Sequence, residues 1–464
     1  MSKNNTDNTT AANTNNNQEE EQQQLHKKNN TKKIVALQTA WSFAAKGAAF
    51  LGFYAANLSI AAYLLPNGFG LWSWLWSWIT VALCLSYGGI NLATQHFIAG
   101  LNAKTQTEQL KNTLLASLQI RLKFSAVSTV LLLLIMWGLG FLNYKNSQYD
   151  WQQLAAPAAV ILFFGGVLEW AKNILAALHK LFGVFIITSI EFGAKWALAW
   201  WALNNTPPDT YLVALLWAFA IAVGLAAITS VFFWLRMCFF TNHLPQKRNT
   251  NDTRNEFKAL EKKLHNYSLP LFIISVGFLL FTEADIILLG FFHPPDIVGQ
   301  YNAAKLLLMP LPQISQALAM GSLPLFGSIN AAQPKWWLKK VFLRLCLINA
   351  FLFGFITVIV WLFAPFIMSY LYPLSNIGQG VWVLRILVLY VLAASFAVVL
   401  NGILDYRGKA TQRSYNMLAS LALLALFGTL GAWYWQGIGV ALAVVLAYIP
   451  YVLRNYWLVK TELN

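Results

Sequence analysis

Between Thr282 and Met309 the chain reads T-E-A-D-I-I-L-L-G-F-F-H-P-P-D-I-V-G-Q-Y-N-A-A-K-L-L-L-M. The stretch is apolar enough to lie in lipid, yet it carries Glu283, Asp285 and Lys305. Groups of this kind have three uses there. A lysine can hold an anionic group, a carboxylate can take up and release a proton, and the two can pair and pin helices together. Other apolar runs carry charges too. Glu191 and Lys195 stand four residues apart, on one face of a helix. Lys46 lies in the first apolar run with no opposite charge near it in sequence, and Arg385 lies near one end of another run. Lys46, Lys195, Lys305 and Arg385 are therefore the candidates for holding an anionic substrate. Glu191, Glu283 and Asp285 are the candidates for ion coupling or for charge pairing. For Glu191–Lys195 and Asp285–Lys305 a purely structural pairing is an equal alternative, and Arg385 can also snorkel to a membrane interface.

The elements that must position these groups are helices. The turn Pro294-Pro295-Asp296 divides the stretch into two antiparallel runs. Asp285 lies about seven residues before Phe292, roughly 10 Å of helical rise, and Lys305 about six residues after Gly299, roughly 9 Å. Acid and base therefore fall at nearly the same depth on neighbouring helices, around a polar, water-accessible centre.

The whole chain has the composition of a polytopic membrane protein. Of its 464 residues, 58% are hydrophobic and 11% charged, with a mean hydropathy of +0.53. Soluble domains carry about twice that charge. At roughly 20 apolar residues per crossing, the sequence holds about twelve spans: near 41–64, 71–93, 119–142, 154–178, 183–203, 211–235, 268–292, 300–328, 341–364, 381–404, 415–436 and 439–458. The runs are long and continuous, unlike the alternating segments of a β-barrel. The expected fold is all-α, with two six-helix bundles around a central cavity. Residues 1–33 form an Asn- and Gln-rich disordered tail, 34–235 the first lobe, 236–267 a cytoplasmic linker with a short amphipathic helix around Glu256–Lys262, and 268–464 the second lobe.

The net charge of +15 reads as basic cytoplasmic loops and contact with membrane lipids, not as nucleic-acid binding. With a cytoplasmic N-terminus, Lys104, Lys111, Arg121, Lys123, Lys172, Lys180, the Lys247–Lys263 cluster, Lys335–Arg344 and Arg407–Arg413 all fall in cytoplasmic loops. The opposite loops hold Lys145 and little else that is basic. Both termini are then cytoplasmic.

No catalytic residue is expected. The chain has no Walker A loop, no G-x-S-x-G and no metal-ligand spacing, and its loops are too short for a catalytic domain. Neither a metal nor a cofactor is implied. Cys84, Cys238 and Cys346 are far apart and read as free thiols. The run Leu71–Trp78, L-W-S-W-L-W-S-W, places Trp72 and Trp76 on one stripe and Trp74 and Trp78 on another. These indoles read as an interfacial aromatic belt or, if a stripe faces a cavity, as platforms for sugar rings. Pro310, Pro312 and Pro324 interrupt the eighth span and predict a kinked helix.

The motif from Ala284 to Lys305 resembles the seventh-to-eighth-helix signature of Wzx-type oligosaccharide flippases. Asp285, Gly290, Val298, Gly299, Tyr301 and Ala304 match it. Ala61–Trp72 and Tyr434–Ala443 are similar to two further family stretches, with Leu65 where an Arg is frequent. The resemblance, diffuse over 41–458, implies membership of the multidrug/oligosaccharidyl-lipid/polysaccharide exporter superfamily. It implies alternating access and a polyprenyl-pyrophosphate-linked oligosaccharide as substrate. It also implies a place in the bacterial inner membrane, serving lipopolysaccharide O-antigen or capsule synthesis, with other polysaccharide-assembly membrane proteins as candidate partners. The alternatives are a cation-coupled multidrug antiporter of the same superfamily and a membrane polysaccharide polymerase or ligase. The short outer loops argue against the last.

Overall fold

The computed structural model describes the backbone of residues 6–87, 89–103, 107–141, 151–240, 250–320, 335–371 and 378–463. Twelve α-helices account for nearly all of it: α1 (Thr6–Tyr87), α2 (Ile90–Ala103), α3 (Thr107–Phe141), α4 (Trp151–Ala177), α5 (Leu181–Asn205), α6 (Tyr211–Phe240), α7 (Thr250–Phe292), α8 (Pro295–Leu308), α9 (Leu311–Met320), α10 (Lys335–Leu371), α11 (Gly380–Tyr406) and α12 (Ala410–Leu463).

Nine of the described helices are long and apolar enough to cross a membrane. Two of them are pairs of spans joined at a break. In α1 the backbone leaves the helical region at Leu65 (φ 58°), directly before Pro66, whose ring disfavours helical geometry in the residue preceding it. Ring contacts show that the chain doubles back there. Before the break Trp41 meets Phe182 and Phe185 at the start of α5 and Gly52 meets Phe192 farther along it, so the first arm runs with α5. After it Trp72 and Trp76 meet Phe219 of α6, which returns beside α5 after a short turn, and Tyr63 beside the break meets Tyr211 at the start of α6. In α12 the break is at Trp435 and Gln436 (φ 53°). It brings the backbones of Gly431 and Gly439 together, so that a Cβ on Gly431 would stand 2.4 Å from the Gly439 carbonyl oxygen. Only glycine allows so tight a hairpin.

The two breaks turn nine helices into eleven crossing arms, and α8 with α9 forms a twelfth, divided at Met309–Pro310. About twelve spans were expected, and the kinked eighth among them; Pro324 lies outside the described residues. Several boundaries differ. The second arm of α1 ends at Tyr87, and Gly89 (φ +66°) separates it from α2. Helix α3 begins at Thr107 and carries Lys111, Arg121 and Lys123, which the charge pattern assigned to a loop. Lys172 likewise lies within α4. Where the composition suggests a disordered tail, α1 is helical from Thr6. The Gln-, Glu- and Lys-rich leader continues an already nucleated helix, which adds residues at little cost. The linker pattern Glu256–Lys262 falls on α7, which runs unbroken into its apolar part; residues 241–249 lie outside the described set.

The helices form two groups. Within α1–α6 the main pairings are α1 with α5, α5 with α6, α4 with α6 and α3 with α4. Within α7–α12 they are α11 with α12, α12 with α7, α10 with α11 and α11 with α8 and α9. The groups meet where α1 lies along α7 and α8 and where α2 and α3 touch α7. Phe351, Phe355, Leu362 and Phe366 of α10 are exposed, an outward apolar face suited to lipid.

Candidate functional site

Asp285 on α7 and Lys305 on α8 meet as the depth argument requires. The lysine Nζ donates to Asp285 Oδ1 at 2.8 Å and also to the Thr282 carbonyl oxygen. Tyr301, one turn before Lys305, donates its hydroxyl to Asp285 Oδ2 at 2.8 Å, and the Ile286 amide donates to Oδ1. Both carboxylate oxygens are thus engaged, and Asp285 is only 3% exposed. The Lys305 side chain keeps 15% of its exposure, so the ammonium group is the accessible end of the pair.

Glu283 points elsewhere. It accepts a hydrogen bond from Ser77 on the second arm of α1, at 2.7 Å. One turn back on that arm, Ser73 accepts from Asn302 of α8 at 2.7 Å and donates to its own helix at the Phe69 oxygen. The Trp74 indole donates to the Ile287 oxygen of α7. These bonds form a polar seam between the second arm of α1 and the α7–α8 pair. Near Pro66 the seam narrows until backbones touch. A Cβ on Gly70 would stand 1.6 Å from the Pro295 oxygen, and one on Gly299 would stand 1.9 Å from the Pro66 oxygen. Small residues allow this approach between membrane helices. At the far end of the same arm, a Cβ on Gly89 would stand 2.2 Å from the Ser268 oxygen of α7. Ser73, Ser77, Asn302 and Tyr301 were not singled out as site residues from the sequence. The signal was present: Ser73 and Ser77 share a stripe four residues apart on an otherwise apolar arm.

The aromatic run is not an interfacial belt. Trp72 and Trp74 are buried. Trp72 and Trp76 stack on each other and meet Phe219 of α6 edge-on; Trp74 and Trp78 pack edge-on against Phe291 of α7. Helices on both sides of the arm cover it, which the sequence of the arm alone does not reveal. The indole N–H groups of Trp72 and Trp78 have no hydrogen-bond partner.

A second charged group lies within α1–α6. Glu191 and Lys195 pair at 2.5 Å along α5. Lys172 of α4 bridges Glu191, at 3.0 Å, to Glu169. The Lys195 ammonium also lies over the rings of Phe192 and Phe219. The chain of four charges was half legible: Glu169 was not considered and Lys172 was counted with the loops.

Lys46 and Arg385 join neither group. Lys46 is exposed on α1. Arg385 donates to the Trp361 oxygen and lies over the exposed rings of Trp361 and Trp382. Among the described residues no cluster of histidine, cysteine or carboxylate side chains could hold a metal ion. Cys84 and Cys346 are free; the side chain of Cys238 lies outside the described residues.

The sequence profile described as "Polysaccharide biosynthesis protein" matches residues 37–330. The chain belongs to this family. The matched range runs from Leu37, within α1, through α9, the seam included. No curated protein matches the sequence significantly. Solved structures show the fold. A multidrug resistance MATE family transporter of the MOP superfamily, inward-facing, is similar at a TM-score of 0.68 and 14% identity, over 91% of this chain and 98% of that one. The lipid II flippase MurJ in an inward closed conformation is similar at 0.64 and 13% identity, over 91% and 87%. A MOP superfamily transporter from Pyrococcus furiosus, described as having a binding pocket of reverse polarity, is similar at 0.60 and 14%, over 93% and 95%. This member of the polysaccharide biosynthesis family is a multi-pass membrane protein with the fold of these transporters.

Proposed function

We propose that the protein is a flippase that moves a polyprenyl-pyrophosphate-linked oligosaccharide across the cytoplasmic membrane for surface polysaccharide synthesis. Both termini face the cytoplasm, and the two groups of helices act as lobes, α1–α6 and α7–α12, that alternate access to a central site. Family membership supports the pathway, and the likeness to MurJ, a flippase for lipid II, is in keeping with a lipid-linked substrate.

The observation that carries the reading is the Asp285–Lys305 pair, which joins α7 to α8 within one turn of the Asn302–Ser73 bond that ties α8 to α1. Lys305 is held by a carboxylate and a carbonyl, yet remains partly accessible. A pyrophosphate entering the seam can replace Asp285 as the partner of the ammonium group. The displaced carboxylate, still hydrogen-bonded by Tyr301, is then free to take a proton. Glu283, held only by Ser77, is a second group able to carry one. Lys46, which lies in neither charge group, supplies a further cation for the head group.

The test is export in cells lacking the protein. Lys305→Ala and Lys46→Ala should each lower surface glycan severalfold at normal membrane abundance. Normal glycan in both variants would reject a cationic head-group site.

One observation favours a different substrate. The α7–α8 pair carries two carboxylates, Glu283 and Asp285, for one lysine, Lys305, an acidic balance better suited to a cationic drug. A cation-coupled antiporter would confer drug resistance on a sensitive strain and leave glycan export unchanged.

A further inference from the structure

Pro365 lies inside α10. A proline has no N–H to offer and its ring crowds the carbonyl four residues back, so the Trp361 oxygen loses its partner within the helix. Arg385 of α11 supplies another. Its Nε donates to that oxygen at 3.1 Å. The same guanidinium lies over two indoles, 4.8 Å from the centre of the Trp361 ring and 5.0 Å from that of Trp382, one turn back on α11. Carbonyl and rings, drawn from two helices, fix the cation in place.

Only Nε is used. Among the described residues, Nη1 and Nη2 of Arg385 have no hydrogen-bond partner and no carboxylate within reach. The sequence holds no Asp or Glu between Asp296 and Asp405, so neither α10 nor the neighbouring part of α11 supplies a counter-charge. The surroundings are apolar and open. Trp361 and Trp382 are half-exposed, as are Val358 and Leu362 beside Trp361 and Leu389 one turn beyond Arg385. This is the edge of the outward apolar face of α10. Arg385 stands five residues into α11, roughly 8 Å from its end. From that depth a long cationic side chain reaches the phosphate layer of a membrane.

We propose that an anionic glycerophospholipid binds at the α10–α11 edge, its phosphate on Nη1 and Nη2 of Arg385 and its chains beside Trp361 and Trp382. With Nε engaged, the open end of the guanidinium is a two-nitrogen fork, which matches two phosphate oxygens. A zwitterionic lipid carries its own ammonium and leaves the arginine charge uncompensated; a lipid of net negative charge neutralises it. On the proposed topology this is the outer leaflet, and only that placement rests on the transport reading.

The test uses the full-length protein in detergent, native mass spectrometry and dioleoyl lipids, and no readout involves glycan export. Phosphatidylglycerol should bind with an apparent Kd at least about fivefold below that of phosphatidylcholine. Arg385→Met should abolish the preference. Arg385→Lys, a point charge that cannot hold the carbonyl and grip a phosphate with a fork, should weaken it. Arg385→Met also strands the Trp361 oxygen. Pro365→Ala returns a backbone N–H to that oxygen, so Pro365→Ala with Arg385→Met should recover the Tm lost in Arg385→Met and still lack the lipid preference. Equal affinity for the two lipids, a preference that survives in the double variant, or displacement of the bound lipid by inorganic phosphate would each overturn the proposal.

Discussion

At the Asp285–Lys305 pair every polar atom of the carboxylate is used, so the two side chains depend on each other. Removing one partner of a buried pair leaves the other charge exposed to an apolar interior, at about 3–5 kcal/mol. Asp285→Asn and Lys305→Met should each lower the apparent Tm clearly, while the double variant should lose less than the sum of the two; strictly additive losses would show that the residues do not couple. Tyr301→Phe removes only one hydrogen bond, worth about 1 kcal/mol. It should shift the Tm slightly and leave most export intact, unless the tyrosine is needed to hold Asp285 once Lys305 has left it. Equal severity in Tyr301→Phe and Asp285→Asn would indicate the latter.

At the scale of elements, the second arm of α1 does the positioning. It carries Ser73 and Ser77 toward α8 and α7, Trp72 and Trp76 toward α6, and ends at glycines where it touches α8 and α7. Gly299→Leu would place a side chain where the Pro66 oxygen now sits. This should part the seam at that end. A cysteine introduced near Pro66 should then react faster with a water-soluble maleimide, and glycan export should fall; unchanged labelling would mean that the helices yield without separating. Much of this arrangement was legible. The equal depths of Asp285 and Lys305 followed from helical rise and the Pro294–Pro295 turn, and the Glu191–Lys195 pair from spacing. Arg121 and Lys172 were misplaced for a physical reason. Both lie inside the apolar runs 119–142 and 154–178, but the loop-charge pattern assigns basic residues near the cytoplasmic end of a span to the loop, whereas α3 and α4 bury them against neighbouring helices. The tryptophan run was misread similarly, because burial from two sides is a property of the bundle and not of the arm.

At the scale of the molecule, composition and loop charge were enough for an all-helical membrane chain of about twelve spans. They could not show that two consecutive pairs of spans are single broken helices, since Leu65 and Gln436 depart from helical geometry for reasons of packing around Pro66 and between Gly431 and Gly439. The polar leader precedes the first arm of α1 and carries none of the seam's residues. Deleting residues 2–25 should leave export and membrane abundance unchanged; lost export at normal abundance would show that the leader takes part in transport.

At Gly70 and Gly299, and again at Gly89, main chain rests on main chain. The atoms nearest each of these glycines are backbone, so the contact itself involves no rotamer that must repack when it separates. The arm is fastened at both extremities by clasps of the same undemanding kind. On the proposed alternating access, one lets go while the other stays shut, and the molecule opens toward one side of a membrane at a time.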